Sequence, residues 1–327
     1  MTLSQAVRLS RPFTLLPPLL GILSGAVCAF GSAHNPDPAR RVTLAVLAVV
    51  ALGSLCASLL NAASNVLNQV TDLAVDRINK PDRPLVTGEV GEREAWGLAL
   101  VLYALAIVPT WWIVVPPVDG FAARSLAPLG THECFALFGG GLLFTLVYSL
   151  PALGRTKALG IWANLTIAVP RGCLLKVAGW TMVASSRTLE PWAIGAVFAL
   201  FLVGASSTKD FSDVAGDRAG GCRTLPVLHG NARAVRIISP FFVLPWLLLV
   251  ALAWAGDPFA PGQRLLTGNS TVLALLGVLL SAWGVYTVRL LSRNPDELSA
   301  TENHPSWTHM YLMLMTAQVG FAVAYLV

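Results

Sequence analysis

Residues 68–77 read NQVTDLAVDR, and residues 209–218 read KDFSDVAGDR. Each segment closes a long apolar run and carries acidic residues at the spacing of helical turns. Only 17 of the 327 residues are Asp or Glu. Five of the 17 lie in these two segments: Asp72, Asp76, Asp210, Asp213 and Asp217. Carboxylates beside a membrane are costly to place, and such clusters suit hard cations such as Mg²⁺. The two acidic segments therefore indicate where the chemistry of this chain lies.

The composition around these segments is that of a membrane protein. Hydrophobic residues make up 55% of the chain and charged residues only 12%, whereas a soluble domain carries about a quarter charged residues. A membrane-spanning helix needs about 20 apolar residues. Nine stretches approach this length: 12–31, 43–70, 95–115, 134–152, 158–184, 189–207, 236–256, 270–291 and 307–326. The fourth stretch and the fifth, which Pro170 interrupts, fit least well. The sequence predicts an all-α, polytopic membrane protein with nine transmembrane helices in a single domain, 1–327.

The loops between these stretches differ in their content of Lys and Arg. With the N-terminus in the cytoplasm, the cytoplasmic segments carry 15 of the 22 basic residues. The outer loops carry five: Arg40, Arg41, Arg124, Arg187 and Arg264. Because cytoplasmic loops are enriched in Lys and Arg, we expect a multi-pass protein of the cell membrane whose N-terminus and acidic segments face the cytoplasm. The net charge of +5 then reflects topology and not nucleic-acid binding. The lipid bilayer is the expected surrounding, and no obligate protein partner is predicted.

Helical spacing places the acidic residues of each segment on one face. Residues four apart in an α-helix are offset by about 40° and rise about 6 Å. The two stripes are Asn68, Asp72 and Asp76, and Asp210, Asp213 and Asp217. Facing acidic stripes would repel each other and raise their own pKa values unless cations lay between them. Carboxylates with one neutral amide suit Mg²⁺, which takes its other ligands from water and phosphate.

Basic residues lie beside both stripes and after the fourth stretch, where they could complete a diphosphate site. The candidates are Arg77, Lys80, Arg83, Arg155, Lys157, Arg218 and Arg223. Arg binds phosphate through a bidentate fork of N–H donors. A magnesium-bound diphosphate at the mouth of an apolar membrane cavity indicates an isoprenoid diphosphate as substrate. The metal would help the allylic C–O bond to ionise, and the apolar pocket would keep water away until a nucleophile such as an aromatic carbon attacks.

The same residues have other interpretations. A single D-x-x-x-D motif in a loop is usually a set of solvated charges paired with neighbouring Lys and Arg, although two such motifs at span ends favour a site. An ion-coupled transporter also places acids in the membrane, typically at the midplane and not at the cytoplasmic rim. Both segments continue into a D-R dipeptide and a Pro/Gly turn. That pattern indicates an internal repeat or, equally, the shared composition of cytoplasmic loops.

Longer stretches around the two segments carry a family resemblance. Residues 68–85, NQVTDLAVDRINKPDRPL, resemble the first signature of the UbiA-type intramembrane prenyltransferases. Residues 209–230, KDFSDVAGDRAGGCRTLPVLHG, resemble the second. RPFT at 11–14 and YSLP at 148–151 are similar to further motifs of the family, and nine spans is its usual number. The resemblance therefore covers essentially the whole chain.

The resemblance implies an all-helical bundle around a central cavity and Mg²⁺-dependent transfer of a prenyl group from its diphosphate. The implied catalytic and metal-binding residues are Asn68, Asp72 and Asp76 for one Mg²⁺, and Asp213 and Asp217 for a second. The implied diphosphate contacts are Arg77, Arg83, Arg155 and Lys157, with Arg218 as a further candidate. Asp210 lies one helical turn earlier than the second pair and is expected near the substrate, where it orients Lys209 or a loop amide.

The acceptor of the prenyl group follows less directly from the sequence. The N-K-P run and the K-D-x-x-D form resemble the homogentisate-type aromatic and archaeal-lipid branches of the family more than the 4-hydroxybenzoate branch. We predict a small aromatic acceptor, either a quinone precursor or a secondary-metabolite phenol or quinolone. A prenyltransferase acting on a glyceryl phosphate lipid, or a terpene cyclase of the same fold, is the alternative.

Two ionisable residues, Arg171 and Lys176, lie within the fifth stretch, where charges are costly and usually face a cavity. Arg171 either binds substrate, orienting an acidic or phenolic acceptor or steadying the diphosphate, or it reaches the interface because Pro170 kinks the helix. Lys176 has no predicted role. Asn61 and Asn65 are polar residues on an apolar helix, and we expect them to make interhelical hydrogen bonds.

Overall fold

The computed structural model describes residues 1–114, 131–301 and 304–327. Arg124 of the outer loops and residue 115, at the end of the third predicted span, lie outside the described residues. Within them the chain forms helices joined by turns, which confirms the all-α class. The helices are α1 (Leu3–Ser10), α2 (Leu16–Gly31), α3 (Leu44–Thr71), α4 (Leu73–Asn79), α5 (Glu92–Ile107), α6 (Glu133–Ser149), α7 (Ile161–Ala168), α8 (Leu175–Trp180), α9 (Leu189–Ala205), α10 (Val214–Ala219), α11 (Leu225–His229), α12 (Asn231–Ile238), α13 (Leu244–Leu252), α14 (Ser270–Arg293), α15 (Glu297–Ala300) and α16 (Pro305–Leu326).

Seven helical segments of the described chain are long and apolar enough to cross a membrane. They are Pro12–Gly31, Leu44–Thr71, Glu92–Trp112, Leu189–Thr208, Asn231–Leu252, Ser270–Arg293 and Pro305–Leu326. The fourth predicted span corresponds to α6, which has 17 residues. The fifth corresponds to α7 and α8 with a different helix type between them. Seven of the nine predicted spans are thus matched in length and composition, and the chain is an integral, multi-pass membrane protein.

The fifth predicted span changes its helix type in the middle. A π-helical segment, Val169–Leu174, joins α7 to α8. Pro170 lies near its start, and proline lacks an N–H donor and crowds the preceding turn, so the regular α-helical pattern is interrupted there. Single π-helical turns occur frequently at functional sites. This wider turn carries Arg171, one of the predicted substrate-binding residues.

Helices α2, α8 and α16 meet with closely approaching backbones. A Cβ atom on Gly25 would lie 2.4 Å from the carbonyl oxygen of Lys176, and small residues permit such contacts between membrane helices. The Lys176 side chain is 1% exposed; its Nζ donates to Ser24 Oγ at 2.7 Å and to Gln318 Oε1, and lies 4.6 Å from the ring centroid of Phe198. The protein thus solvates this ammonium itself, and the side chain ties the three helices together.

Asparagine side chains of α3 hold the N-terminal segment in place. Asn61 and Asn65 donate to the backbone oxygens of Thr14 and Ser10 at 3.0 and 2.9 Å. Their four-residue spacing puts both amides on one face of α3. The predicted interhelical hydrogen bonds are therefore confirmed, and they fix Ser10, at the end of α1, and Thr14, just before α2, against α3.

The largest buried core lies in the C-terminal half of the bundle. Phe198, Phe201, Phe242 and Trp246 have no exposed surface and pack with ring centroids between 5.0 and 6.0 Å apart. A second core, which includes Leu67, lies between α3 and α5. Because these cores flank the centre of the bundle, a cavity remains between α2, α3, α6, α7, α8, α9 and α16.

Candidate active site

Both acidic segments have the same local backbone. Asp72 lies at the break between α3 and α4 with φ −107° and ψ 9°, and Asp213 precedes α10 with φ −100° and ψ 4°. In each segment the next aspartate, Asp76 or Asp217, donates its N–H to the carbonyl oxygen of the first, at 2.8 or 2.9 Å. We expected regular helical stripes, but a new helix begins after the first aspartate of each pair. The Thr or Ser before that aspartate and the aspartate itself are weak helix formers, which explains the break. The shared geometry supports the internal repeat.

Asn79 joins the two acidic segments directly. Its Nδ2 donates to the carbonyl oxygen of Asp213 at 3.0 Å, and its Oδ1 accepts from the N–H of Gly216 at 2.9 Å. A Cβ atom on Gly216 would lie 2.5 Å from the Asn79 amide atoms. A side chain on residue 216 would displace this amide, so glycine leaves room for the contact that holds α4 and α10 side by side.

The acidic side chains of the first segment hold basic partners. Asp72 Oδ1 accepts from Arg155 Nη2 at 3.1 Å and also pairs with Lys157 Nζ. Asp76, which is 5% exposed, pairs with Arg83. The three basic residues are predicted diphosphate contacts, and the structure places all three against the carboxylates of this segment.

The second segment has a similar arrangement. Asp213 Oδ2 accepts from Lys209 Nζ at 3.0 Å, and its Oδ1 lies 3.7 Å from Lys80 Nζ of the first segment. Asp217 Oδ2 accepts from Thr224 Oγ1 at 3.4 Å. Asp213 is therefore held by cations from both segments, which strengthens their junction.

Burial raises the pKa of most of the aspartates. It raises the pKa of Asp76. Burial and the neighbouring Asp213 raise the pKa of Asp217 to about 6, and burial and Asp217 raise the pKa of Asp210 to about 8. Burial acts in the same direction on Asp213, but the ammonium of Lys209 helps to lower its pKa below the ordinary value. A cation beside these buried carboxylates would favour their charged form.

The oxygen donors of the site suit a hard cation. Across the described ranges, no three His, Cys, Asp or Glu side chains are gathered into a ready-made metal site, and the aspartates are held by Lys and Arg instead. Mg²⁺ is often bound by one or two carboxylates, with water and phosphate oxygens completing its shell. Two pairs of carboxylates, Asp72 with Asp76 and Asp213 with Asp217, meet that requirement. The residues fit Mg²⁺ that binds together with a diphosphate.

Three of the predicted site residues are placed differently from expectation. Asn68 faces the cavity, but its Oδ1 accepts from Ser149 Oγ at 2.5 Å. Arg77 and Arg218 are exposed, and their side chains make no hydrogen bond or ion pair with any residue the structure describes. Each follows directly after an aspartate of the site, and adjacent helical residues point about 100° apart. The structure therefore turns these two arginines away from the carboxylates.

The acidic segments lie at one end of a cavity of about 240 Å³. Asn68 and Asp210 line that end, and mainly apolar residues, including Phe138 and Leu314, line the remainder. Along α3 the lining extends from Asn68 to Ala57, which corresponds to a depth of about 16 Å. A polar mouth and a deep apolar interior can hold a molecule with a charged head and a hydrocarbon chain.

The cavity contains further residues that sequence reasoning did not select for the site. Lys209 could have been found from its four-residue spacing to an aspartate, and Arg11 from the RPFT motif. Arg11 lines the cavity, as does the predicted residue Arg171. Trp307 and Tyr311 also line it, but they lie on α16, far along the chain and outside any motif, so no sequence signal pointed to them.

Known proteins are similar to this chain in sequence and in fold. The sequence profile of the UbiA prenyltransferase family matches residues 18–304. A digeranylgeranylglyceryl phosphate synthase of Methanoculleus marisnigri is 30% identical over 230 residues, which is 70% of either chain. The bacteriochlorophyll synthase 34 kDa chain of Chloroflexus aurantiacus is 26% identical over 321 residues, covering 98% of this chain and 91% of the relative.

A solved structure has the same architecture. It is a UbiA homologue from Archaeoglobus fulgidus bound to GPP and Mg²⁺, which matches with a TM-score of 0.68 and 22% identity and covers 99% of this chain and 100% of that one. At this identity the likeness shows the fold, whereas the family profile covers most of the sequence. The chain belongs to the UbiA prenyltransferase family and is a multi-pass membrane prenyltransferase.

Proposed function

We propose that this prenyltransferase uses Mg²⁺ to move a prenyl group from an isoprenoid diphosphate to an acceptor in the membrane cavity. The observation that carries the proposal is the junction of two acidic segments at one end of a largely apolar cavity. We assign Asn68, Asp72 and Asp76 to one Mg²⁺ and Asp213 and Asp217 to a second. The homologue from Archaeoglobus fulgidus, solved with GPP and Mg²⁺, supports the use of an isoprenoid diphosphate together with Mg²⁺.

The basic residues of the site would also bind the diphosphate in this reaction. Mg²⁺ would neutralise the negative charge that develops on the leaving diphosphate. Arg83, Arg155 and Lys157 would exchange their carboxylate partners for phosphate oxygens, which accept the same N–H donors. Asp210, at the cavity wall, stays close to the reacting end of the donor. The apolar lining would exclude water from the allylic carbocation until the acceptor attacks it.

Two acceptor classes have support from different observations. A glyceryl phosphate lipid is favoured by relatives named digeranylgeranylglyceryl phosphate synthase, one of them 27% identical over 97% of this chain. A small aromatic acceptor, which the motifs also favour, would suit the rings of Trp307 and Tyr311 in the cavity wall. We place the lipid acceptor first because several of the similar relatives carry that name.

The proposed function is tested with purified protein in lipid nanodiscs. Geranyl, farnesyl and geranylgeranyl diphosphate are each offered with a glyceryl phosphate ether lipid, homogentisate or 4-hydroxybenzoate, and products are identified by mass spectrometry. We expect a prenylated acceptor and released diphosphate, both dependent on Mg²⁺. A cyclic hydrocarbon formed without acceptor would instead identify a terpene cyclase. Failure to consume any donor would overturn the proposal.

We also propose that the N-terminus and the acidic segments face the cytoplasm, as the basic loops predict. The five native cysteines are buried or partly buried, so single exposed cysteines can report orientation. A membrane-impermeant maleimide added to intact cells should label Phe259→Cys, at a residue 83% exposed between α13 and α14. It should label Asp82→Cys, near the first acidic segment, only after permeabilisation. The opposite pattern would reverse the orientation.

A further inference from the structure

The cations that surround the cavity fall into two groups. The first group lies in or near the acidic segments and at residues 155–157, and it includes the basic partners of Asp72, Asp76 and Asp213. Arg11 and Arg171 also line the cavity, yet neither side chain makes a hydrogen bond or ion pair with a residue in the described part of the chain. A guanidinium without a partner in a partly enclosed space is unfavourable, so a negatively charged group of a bound molecule would stabilise it.

The backbone at Arg11 is held in a strained conformation. Arg11 has φ 53° and ψ 67°, a left-handed geometry that costs an L-residue about 1 kcal/mol. Its N–H donates to the carbonyl oxygen of Arg8 at 3.3 Å, and its own carbonyl oxygen accepts from the N–H of Thr14 at 2.9 Å. The amides of Asn61 and Asn65 fix the same segment. Strain that the surroundings enforce is typical of functional positions, and here it places Arg11 at the cavity.

Arg171 lines the same cavity as Arg11. It lies in the π-helical segment Val169–Leu174, directly after Pro170, and it is exposed. The positive charges of Arg83 and, less strongly, Arg171 act on Arg11. An anion bound beside Arg11 would offset this repulsion between like charges.

Aromatic rings complete this part of the cavity. Trp307 and Tyr311 have ring centroids 4.9 Å apart, and Phe13 packs against both at 5.3 and 5.6 Å. The charge of Asp76 also acts on Arg11, so this region adjoins the acidic segments. A molecule bound here would lie beside the diphosphate end of the donor, where an attacking acceptor must be.

We propose that Arg11 and Arg171 bind a negatively charged group of the acceptor, a phosphate or a carboxylate, while Trp307 and Tyr311 pack against its body. This assignment rests on the proposed prenyl transfer. Arginine forks bind both anions through paired, charge-assisted hydrogen bonds. The basic residues that we assign to the donor diphosphate are paired with carboxylates, whereas Arg11 and Arg171 face the cavity without such a partner among the described residues.

The test separates acceptor binding from donor binding. Arg11→Gln and Arg171→Gln are assayed with two probe pairs: geranylgeranylglyceryl phosphate against the same ether lipid without phosphate, and 4-hydroxybenzoate against its methyl ester. We expect each variant to raise KM for the charged member of the productive pair by about tenfold, because one charge-assisted contact is lost. KM for the donor and the use of the neutral member should stay within about twofold. The pair that responds identifies phosphate or carboxylate as the recognised group.

Binding without turnover supplies an independent measurement. Isothermal titration of donor-free protein should show tighter binding of the charged probe than of its neutral partner, with the difference lost in both variants and partly kept in Arg11→Lys. Arg233→Gln, an exposed cation of α12, is the matched control and should behave as wild type. A rise in KM for the donor, or equal binding of both probes by the wild type, would overturn the acceptor subsite. Absence of prenylated product would instead reject the proposed function and leave the binding comparison to decide the subsite.

Discussion

Replacing Asp72 or Asp213 by asparagine should lower kcat/KM for prenyl transfer by about 10³-fold, or ~4 kcal/mol. Each is the first acid of its proposed metal-binding pair, and each contacts two basic side chains. Asparagine keeps the size of the side chain but removes the negative charge that balances these cations and, in our proposal, Mg²⁺. The measurement is steady-state product formation over a range of Mg²⁺ concentrations. The rate of prenyl transfer by both variants should stay below that of the wild type at every concentration.

The matched control for this charge change is Asp82→Asn. Asp82 is exposed and lies in the connection that follows the first segment, so the activity of Asp82→Asn should stay within about twofold of wild type. Thermal unfolding in detergent verifies that the variants are folded. Wild-type rates for Asp72→Asn and Asp213→Asn at saturating Mg²⁺ would show that these carboxylates do not hold the metal.

Gly216→Ala should reduce kcat/KM by about 10²-fold, because misplacing catalytic groups by an ångström is that costly. The new methyl group would lie 2.5 Å from the amide of Asn79. The methyl group must displace that amide and so break its two hydrogen bonds to the Asp213 carbonyl oxygen and the Gly216 N–H, which loosens the position of Asp213 and Asp217 relative to the first segment. The same assay measures the effect, and the protein should still insert and fold because the substitution lies outside the membrane-spanning helices.

A second substitution isolates the cause of this loss. Asn79→Ala removes the clash, so adding Gly216→Ala to it should cost much less than in the wild-type background, as expected for residues in contact. Gly97→Ala is the control, since nothing lies within 4 Å of a Cβ atom there. Equal losses from Gly216→Ala in both backgrounds would mean that the contact with Asn79 does not set the spacing.

Local patterns predicted most of the fold and the acids of the site. Apolar length is informative because an unpaired backbone is intolerable in lipid, so each long run must be a helix. The segment around Pro170 departs from that rule, since proline changes the helix type and a cavity admits polar groups there. The two acidic pairs could be recognised from the sequence because the members of each pair are only four residues apart, which is about one helical turn.

The partners of these acids were harder to predict because they are distant in sequence. Arg155 and Asp72 are 83 residues apart. Elsewhere in the bundle, the buried pair of Lys176 and Gln318 is separated by 142 residues. Such pairs depend on how helices pack, which hydropathy does not encode. The break at Asp72 reflects the weak helix propensity of Thr71 and Asp72, and the outward direction of Arg77 follows from helical rotation. Neither is visible in the apolar pattern of the sequence.

The pairing of the carboxylates with Lys and Arg has a consequence for the binding of Mg²⁺. Asp72, Asp76 and Asp213 have counter-ions from the same chain. These counter-ions compete with Mg²⁺ for the same carboxylate oxygens, and phosphate oxygens would offer them alternative acceptors. The affinity of the site for Mg²⁺ should therefore rise when the donor diphosphate is bound.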